Sequence, residues 1–189
     1  MKRMLGVIAL ACLWADLGWG ASIGLYSSLD CSSCTLRIPT SSLSGTLYIC
    51  ASTANFPGTA IGAWFKVEGM PTGWSATSVP APGATSSGDP FGTGVSMSFT
   101  PGLLGDCVLL YTVTLTPPAP GAQATLHVTH KEDPPLGIGM YCPLLESDLP
   151  ACIFCPFCVA GGTMLVNTDT DCTVAVQSPT WSQVKWLFH

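Results

Sequence analysis

Residues 107–115 read CVLLYTVTL. Leu109, Tyr111, Val113 and Leu115 fall on one side of the alternation, and Thr112 and Thr114 on the other. Side chains of an extended chain point to opposite faces in turn, so this stretch predicts a strand with one apolar face and one hydroxyl face. The same period of two recurs on both sides of it. Residues 122–129 place Ala122, Ala124, Leu126 and Val128 against Gln123, Thr125, His127 and Thr129. Residues 94–99 place Val95, Met97 and Phe99 against Ser96 and Ser98. Upstream, Ile61, Ala63, Phe65 and Val67 share a side in 59–67, Leu47, Ile49 and Ala51 in 45–51, and Ile23 and Leu25 in 21–27.

Turn chemistry separates these runs: Pro57-Gly58, Pro71-Thr72-Gly73, the stretch 80–90, Pro101-Gly102, 117–121 and Pro134-Pro135. Proline presets φ and glycine accepts φ > 0, so such pairs end strands. Half-buried strands about ten residues apart, with no strand–helix alternation and no internal repeat, predict an all-β, antiparallel, immunoglobulin-like β-sandwich.

Composition agrees. Charged residues are 9% of the 189 and apolar ones 48%, which favours a packed core over a solvated, disordered chain. The formal charge is −5, so no basic face is available for phosphate backbones or anionic lipid, and nucleic acid is not an expected partner.

The N-terminus reads as a secretory signal peptide over residues 1–20. Lys2 and Arg3 precede an apolar run over 4–14, which at eleven residues is too short to span a bilayer. Gly18 and Gly20 place small residues before a cut at Ala21. A membrane anchor, or lipoprotein processing at Cys12, fits the flanks less well. Cleavage leaves 169 residues with a formal charge of −6, no membrane span, and an exported location in the periplasm, at the cell surface or outside the cell. The expected domain is 21–177, with a cysteine-rich part over 142–172. A short amphipathic helix is expected over 178–189. Thr180 and Gln183 make its capping box, and Trp181, Val184 and Phe188 form its docking face. That face has two candidate docking places, the sandwich itself and a partner.

Nine cysteines remain after cleavage: Cys31, Cys34, Cys50, Cys107, Cys142, Cys152, Cys155, Cys158 and Cys172. In an exported domain the default is disulfides, and an odd count leaves at least one thiol over. The Cys152-x-x-Cys155-x-x-Cys158 spacing also fits part of a zinc or iron–sulfur site, or a redox pair, but the fourth iron–sulfur position is Gly162. Asn167-x-Asp169-x-Asp171 has the first three oxygens of a calcium loop, yet Cys172 and Ser178 stand where the glycine and the bidentate glutamate belong, so a polar turn is expected. His127 and His130, three apart on a strand, face opposite ways and make poor co-ligands. With no G-x-S-x-G and no placeable carboxylate pair, no enzyme activity and no cofactor are expected. Trp74, in the 71–74 turn, and Trp64, out of phase with Phe65, are candidate platforms for stacking a sugar.

Three further stretches carry a resemblance: Ala21-Ser22-Ile23-Gly24-Leu25-Tyr26, Pro57-Gly58-Thr59-Ala60 leading to Phe65-Lys66, and the tail over 179–188 (PTWSQVKWLF). Together they resemble a group of uncharacterised exported bacterial β-sandwich proteins, with a G-L-Y start after the signal and a T-W-x-x-[IV]-K-x-[LI]-[YF] tail. Phe65-Lys66-Val67 with Met70-Pro71-Thr72-Gly73-Trp74 is more loosely similar to immunoglobulin-like and cohesin-like sandwiches. The resemblance implies fold and export and carries no catalytic residue. The expected function is therefore a non-catalytic structural or binding module meeting a protein or glycan at the cell surface or envelope. The alternatives are a carbohydrate-binding module and a metal or thiol-redox protein built on Cys152, Cys155 and Cys158.

Overall fold

The structure is a computed structural model that describes residues 21–53, 56–132, 142–148 and 156–170. The expected signal segment and C-terminal helix lie outside these residues, as do Cys152, Cys155, Cys172 and Asp171.

Thirteen strands are described: β1 (Ser22–Tyr26), β2 (Thr35–Leu36), β3 (Gly45–Ser52), β4 (Ala60–Glu68), β5 (Ser75–Pro80), β6 (Ala84–Asp89), β7 (Gly94–Leu103), β8 (Val108–Thr116), β9 (Ala124–Thr129), β10 (Leu144–Ser147), β11 (Pro156–Cys158), β12 (Ala160–Gly161) and β13 (Thr163–Val166). One sheet has the order β12-β1-β3-β8-β5. The other runs β11-β10-β4-β9-β13-β2, with β7 on β4 and β6 on β7. The chain crosses between the sheets at most connections, so successive strands face one another across the core.

The core is what the alternation predicted. Ile23, Leu25, Leu47, Ile49, Val113 and Leu115 of the first sheet meet Ala63, Phe65, Val67, Val95, Leu126 and Val128 of the second, all of them buried. Phe65 and Tyr111 meet edge to face across the sheets, ring centres 6.2 Å apart. Burying a Leu or Phe fully is worth about 1.5–3 kcal/mol each, so this double row dominates stability.

Four local expectations are corrected. Within 107–115, Leu110 rather than Leu109 is buried. The β3–β8 register steps from Ile49↔Tyr111 to Cys50↔Leu109, a bulge that gives Leu110 no opposite number and turns it inward. Pro101-Gly102, expected as a turn, lies inside β7, where the register with β4 jumps from Gly62↔Ser98 to Ala60↔Leu103. A bulge tolerates proline because the ladder is already broken there. The stretch 80–90, also expected as a turn, contains β6, whose hydroxyl-rich residues pair with β7 and stay largely exposed. Lastly, the sheets are not purely antiparallel, because β12 runs parallel to β1 and β13 parallel to β2.

The parallel pairs arise where 156–166 passes from one sheet to the other. β11 pairs with β10, β12 crosses to β1, and β13 returns to β9. Gly162 sits at the switch: its N–H donates to the Ile23 carbonyl at 2.8 Å and its own carbonyl accepts from the Val128 N–H at 2.9 Å. A Cβ on Gly162 would lie 2.8 Å from the Gly24 Cα, and one on Gly161 would collide with the Val128 carbonyl. The consecutive glycines are what let three backbones meet there.

Candidate functional site

Five of the six described cysteines gather at two places. At the β10–β11 edge, Leu144 pairs with Cys158, and Cys158 is disulfide-bonded to Cys142. Cys158 is therefore not free to join Cys152 and Cys155 as a thiolate ligand. Cys34, just before β2, is also disulfide-bonded.

The second place is the outer face of the first sheet. Gly24, Cys50 and Leu109 stand side by side on β1, β3 and β8. Tyr26 projects on the same face as Gly24, and its ring lies back over that glycine, where a Cβ would come 2.6 Å from the ring. The Ser22 hydroxyl, two residues further back, meets the Tyr26 phenol. The loop 27–34 then rises over Cys50, tied down by the Cys31–Cys107 disulfide. Cys50 is buried and is the one free thiol among the described residues. Its sulfur and those of Cys31 and Cys107 lie within 4.8 Å of one another. Burial pushes the Cys50 thiol up to about 12, and burial, with Cys50 adding to it, also raises the Tyr26 phenol. With two of the three sulfurs bonded to each other, the cluster is a thiol beside a disulfide and offers one thiol ligand to a metal. Sequence spacing did not reveal it, because its members come from three separate segments.

The carboxylates hold loops and strand ends. Asp30 accepts from the Ser28 hydroxyl at 2.5 Å and from the Ser32 hydroxyl and N–H at 2.7 and 3.1 Å. These bonds stabilise the charged form and lower its pKa to about 2. Asp148, just after β10, accepts from the Thr59 N–H before β4 at 2.7 Å, which likewise lowers its pKa. Glu132 pairs with Lys66, and the Asp89 carboxylate accepts from the Phe91 N–H at 3.0 Å.

Glu146 differs. It stands opposite Gly62 on the outer face of the second sheet, where a Cβ on Gly62 would lie 2.8 Å from its carboxylate and 3.0 Å from the Trp64 ring. Burial raises its pKa. Trp64 itself is half-buried, opposite Ser96 on one side and Leu144 on the other. Trp74 packs against the core. Trp64 lies on the outer face in mid-strand, out of phase with the buried Ala63 and Phe65.

Asn167, in the stretch expected as a polar turn, spends its side chain on the backbone. Its φ is 53°, its Oδ1 accepts from the Ile38 N–H at 2.7 Å, and its Nδ2 donates to the Ala122 carbonyl at 2.9 Å. It clamps the chain after β2 to the approach of β9, while Asp169 is exposed nearby. His127 is exposed with Nδ1 3.0 Å from the Thr163 hydroxyl, and His130 lies 3.2 Å from the Thr129 hydroxyl. Thr53 is a structural anchor that the sequence did not flag. Its hydroxyl donates to the Gly105 carbonyl at 2.9 Å and accepts from the Gly105 N–H at 2.8 Å.

No protein family and no curated protein matches the sequence. Solved structures of similar shape include cohesin modules. One, from a family 33 glycoside hydrolase of Clostridium perfringens, is 12% identical, with 77% of this chain and 93% of that one covered, at a TM-score of 0.47. A type III cohesin from a cell-surface anchoring scaffoldin of Ruminococcus flavefaciens is 9% identical, covers 78% and 88%, and scores 0.43. A non-cellulosomal cohesin from Archaeoglobus fulgidus is 9% identical, covers 77% and 90%, and scores 0.40. The likeness is one of β-sandwich architecture.

Proposed function

We propose that this chain is an exported, non-catalytic β-sandwich serving as a structural or binding module at the cell surface or in the envelope, with a protein or glycan as its partner. In this reading residues 1–20 are the signal, 21–177 the working domain, and the 178–189 segment a helix whose Trp181, Val184 and Phe188 dock. Membership of the exported group with the G-L-Y start and T-W tail belongs to the same proposal. The observation that carries it is the use made of polar and sulfur chemistry. Asp30, Asp89, Asp148 and Glu132 each hold a loop or strand end. Cysteines at five described positions are spent on disulfides, which persist in oxidising compartments.

Two measurements test this. Residues 1–20 fused to a reporter active only outside the cytoplasm should export it, and the mature protein should begin at Ala21. Retention inside the cell overturns the export reading. Turnover of a glycan or peptide substrate, abolished by one point mutation, overturns the non-catalytic reading.

A carbohydrate-binding role is favoured by one arrangement, the outward Trp64 beside Glu146 and the Ser96 and Ser98 row. An aromatic face flanked by a carboxylate and hydroxyls suits a sugar ring, which is apolar on one face and polar at its edge. Trp64→Ala should abolish glycan retention in affinity electrophoresis while Trp74→Phe preserves it. Equal retention in both variants and the parent removes the reading.

A further inference from the structure

We propose that Cys50 is a built-in exchange thiol for the Cys31–Cys107 disulfide, so that the free thiol at this site moves from the buried sheet face to the half-exposed Cys107. The three sulfurs already lie within 4.8 Å of one another, so the step needs only local side-chain motion. Cys50 loses its proton, a step that burial makes costly and that rising pH favours, and its sulfur attacks the sulfur of Cys31. The Cys50–Cys31 bond forms as the Cys31–Cys107 bond breaks. The electron pair leaves on Cys107, which takes up a proton. One disulfide and one thiol enter and leave, so no oxidant or reductant is consumed.

Two features choose Cys107 as the leaving sulfur. Its Sγ lies 3.1 Å from the Leu29 carbonyl oxygen. A disulfide sulfur has no hydrogen to donate there, whereas a released thiol does, so the acceptor is in place for the product. Cys107 is also half-exposed, so water solvates the charge that passes to it, while Cys50 is 1% exposed. Cys31, held at φ 56°, stays bonded in both forms and keeps the 27–34 loop tied to the sheet. The consequence is a masked attachment point: in the exchanged form Cys107 is open to a thiol reagent or to a mixed disulfide with another chain.

The experiment uses the full oxidised chain, folded, with N-ethylmaleimide at neutral pH, an acid quench and peptide mapping without reduction. Maleimide on Cys107 together with a Cys31–Cys50 cross-link is the expected result, and Cys50→Ala should reduce labelling at Cys107 at least tenfold. An intact Cys31–Cys107 bond with maleimide on Cys50 alone, or on neither, overturns the proposal. So does simultaneous labelling of Cys142 or Cys158, which marks scrambling through unfolding. Cys107→Ser is an independent arm that keeps Cys50 in place. It should fold with a Cys31–Cys50 disulfide, and two free thiols at Cys31 and Cys50 would overturn the exchange.

Discussion

Tyr111 carries an inter-sheet aromatic contact and a hydroxyl that is poorly provided for. The ring is buried against Phe65, and the hydroxyl is buried with no hydrogen-bond partner, although Ser86 on β6 is near enough to oppose the rise in its pKa. An unmade hydrogen bond costs about 1–3 kcal/mol of desolvation. Tyr111→Phe removes that cost and keeps the ring, so urea unfolding should show unchanged or increased stability, by up to about 1 kcal/mol. A loss of more than 1 kcal/mol would mean that the hydroxyl is satisfied. Asn167 is the opposite case. Both ends of its amide are used, so Asn167→Ala should cost about 1–3 kcal/mol in the same measurement, and adding calcium should restore none of it. Asp30 adds a pH term. Its folded pKa lies below the ordinary 3.8, at about 2, so it contributes stability that is present above 3.8 and lost as pH falls toward 2. Asp30→Asn should flatten the decline of the urea midpoint across that window. An unchanged slope would show that the loop opens before Asp30 titrates.

At the scale of elements, the decisive segment is 156–166, which joins the two sheets by crossing between them. A crossing strand brings backbones closer than a Cβ permits, so its sequence is Ala160-Gly161-Gly162. Gly161→Ala and Gly162→Ala should each destabilise by about 1–3 kcal/mol, as insertions into packed sites do. Gly83 and Gly121 are useful comparisons. Both have positive φ but open space around the Cβ position, so alanine there costs only the backbone preference, about 1 kcal/mol. Equal costs at all four positions would mean that the crossing is looser than its contacts indicate. Hydrogen exchange at the Gly162 and Val128 amides, both bonded across the crossing, gives a second measure of the same closeness.

The whole molecule depends on a core spread over two sheets and on staples outside it. The Cys31–Cys107 link closes 76 residues and Cys142–Cys158 closes 16. Loop-closure entropy makes the first worth about 4.5 kcal/mol and the second about 3 kcal/mol. The Cys31→Ala/Cys107→Ala pair should therefore lower unfolding stability by more than the Cys142→Ala/Cys158→Ala pair. The reverse order would show that the β10–β11 edge, not the long loop, limits the fold. Phe65→Ala should cost about 3–5 kcal/mol, comparable to the longer staple, because it opens the centre where the sheets meet.

How much of this was legible in the sequence depended on whether a property is local. Period two in residues such as Phe65, Val67, Val113 and Leu126 is a local pattern, and it determined the β class, the strand faces and most of the core. The bulges at Leu110 and Pro101, and the exposed strand β6, escaped because a bulge is defined only against a partner strand and an exposed strand buries too little to imprint an alternation. The cysteine count, nine if residues 1–20 are cleaved as a signal, led to the expectation of disulfides with one sulfur left over. Only the tertiary structure decided that Cys50 is a free thiol and that it lies beside Cys31–Cys107, since those sulfurs meet through sheet register and the return of the 27–34 loop. Likewise Asn167 reads only as part of a polar turn, and the fold supplies Ile38 and Ala122 for the two ends of its amide. Alternation is written in neighbouring residues, but contact between distant ones is set by how the sheets pair and cross.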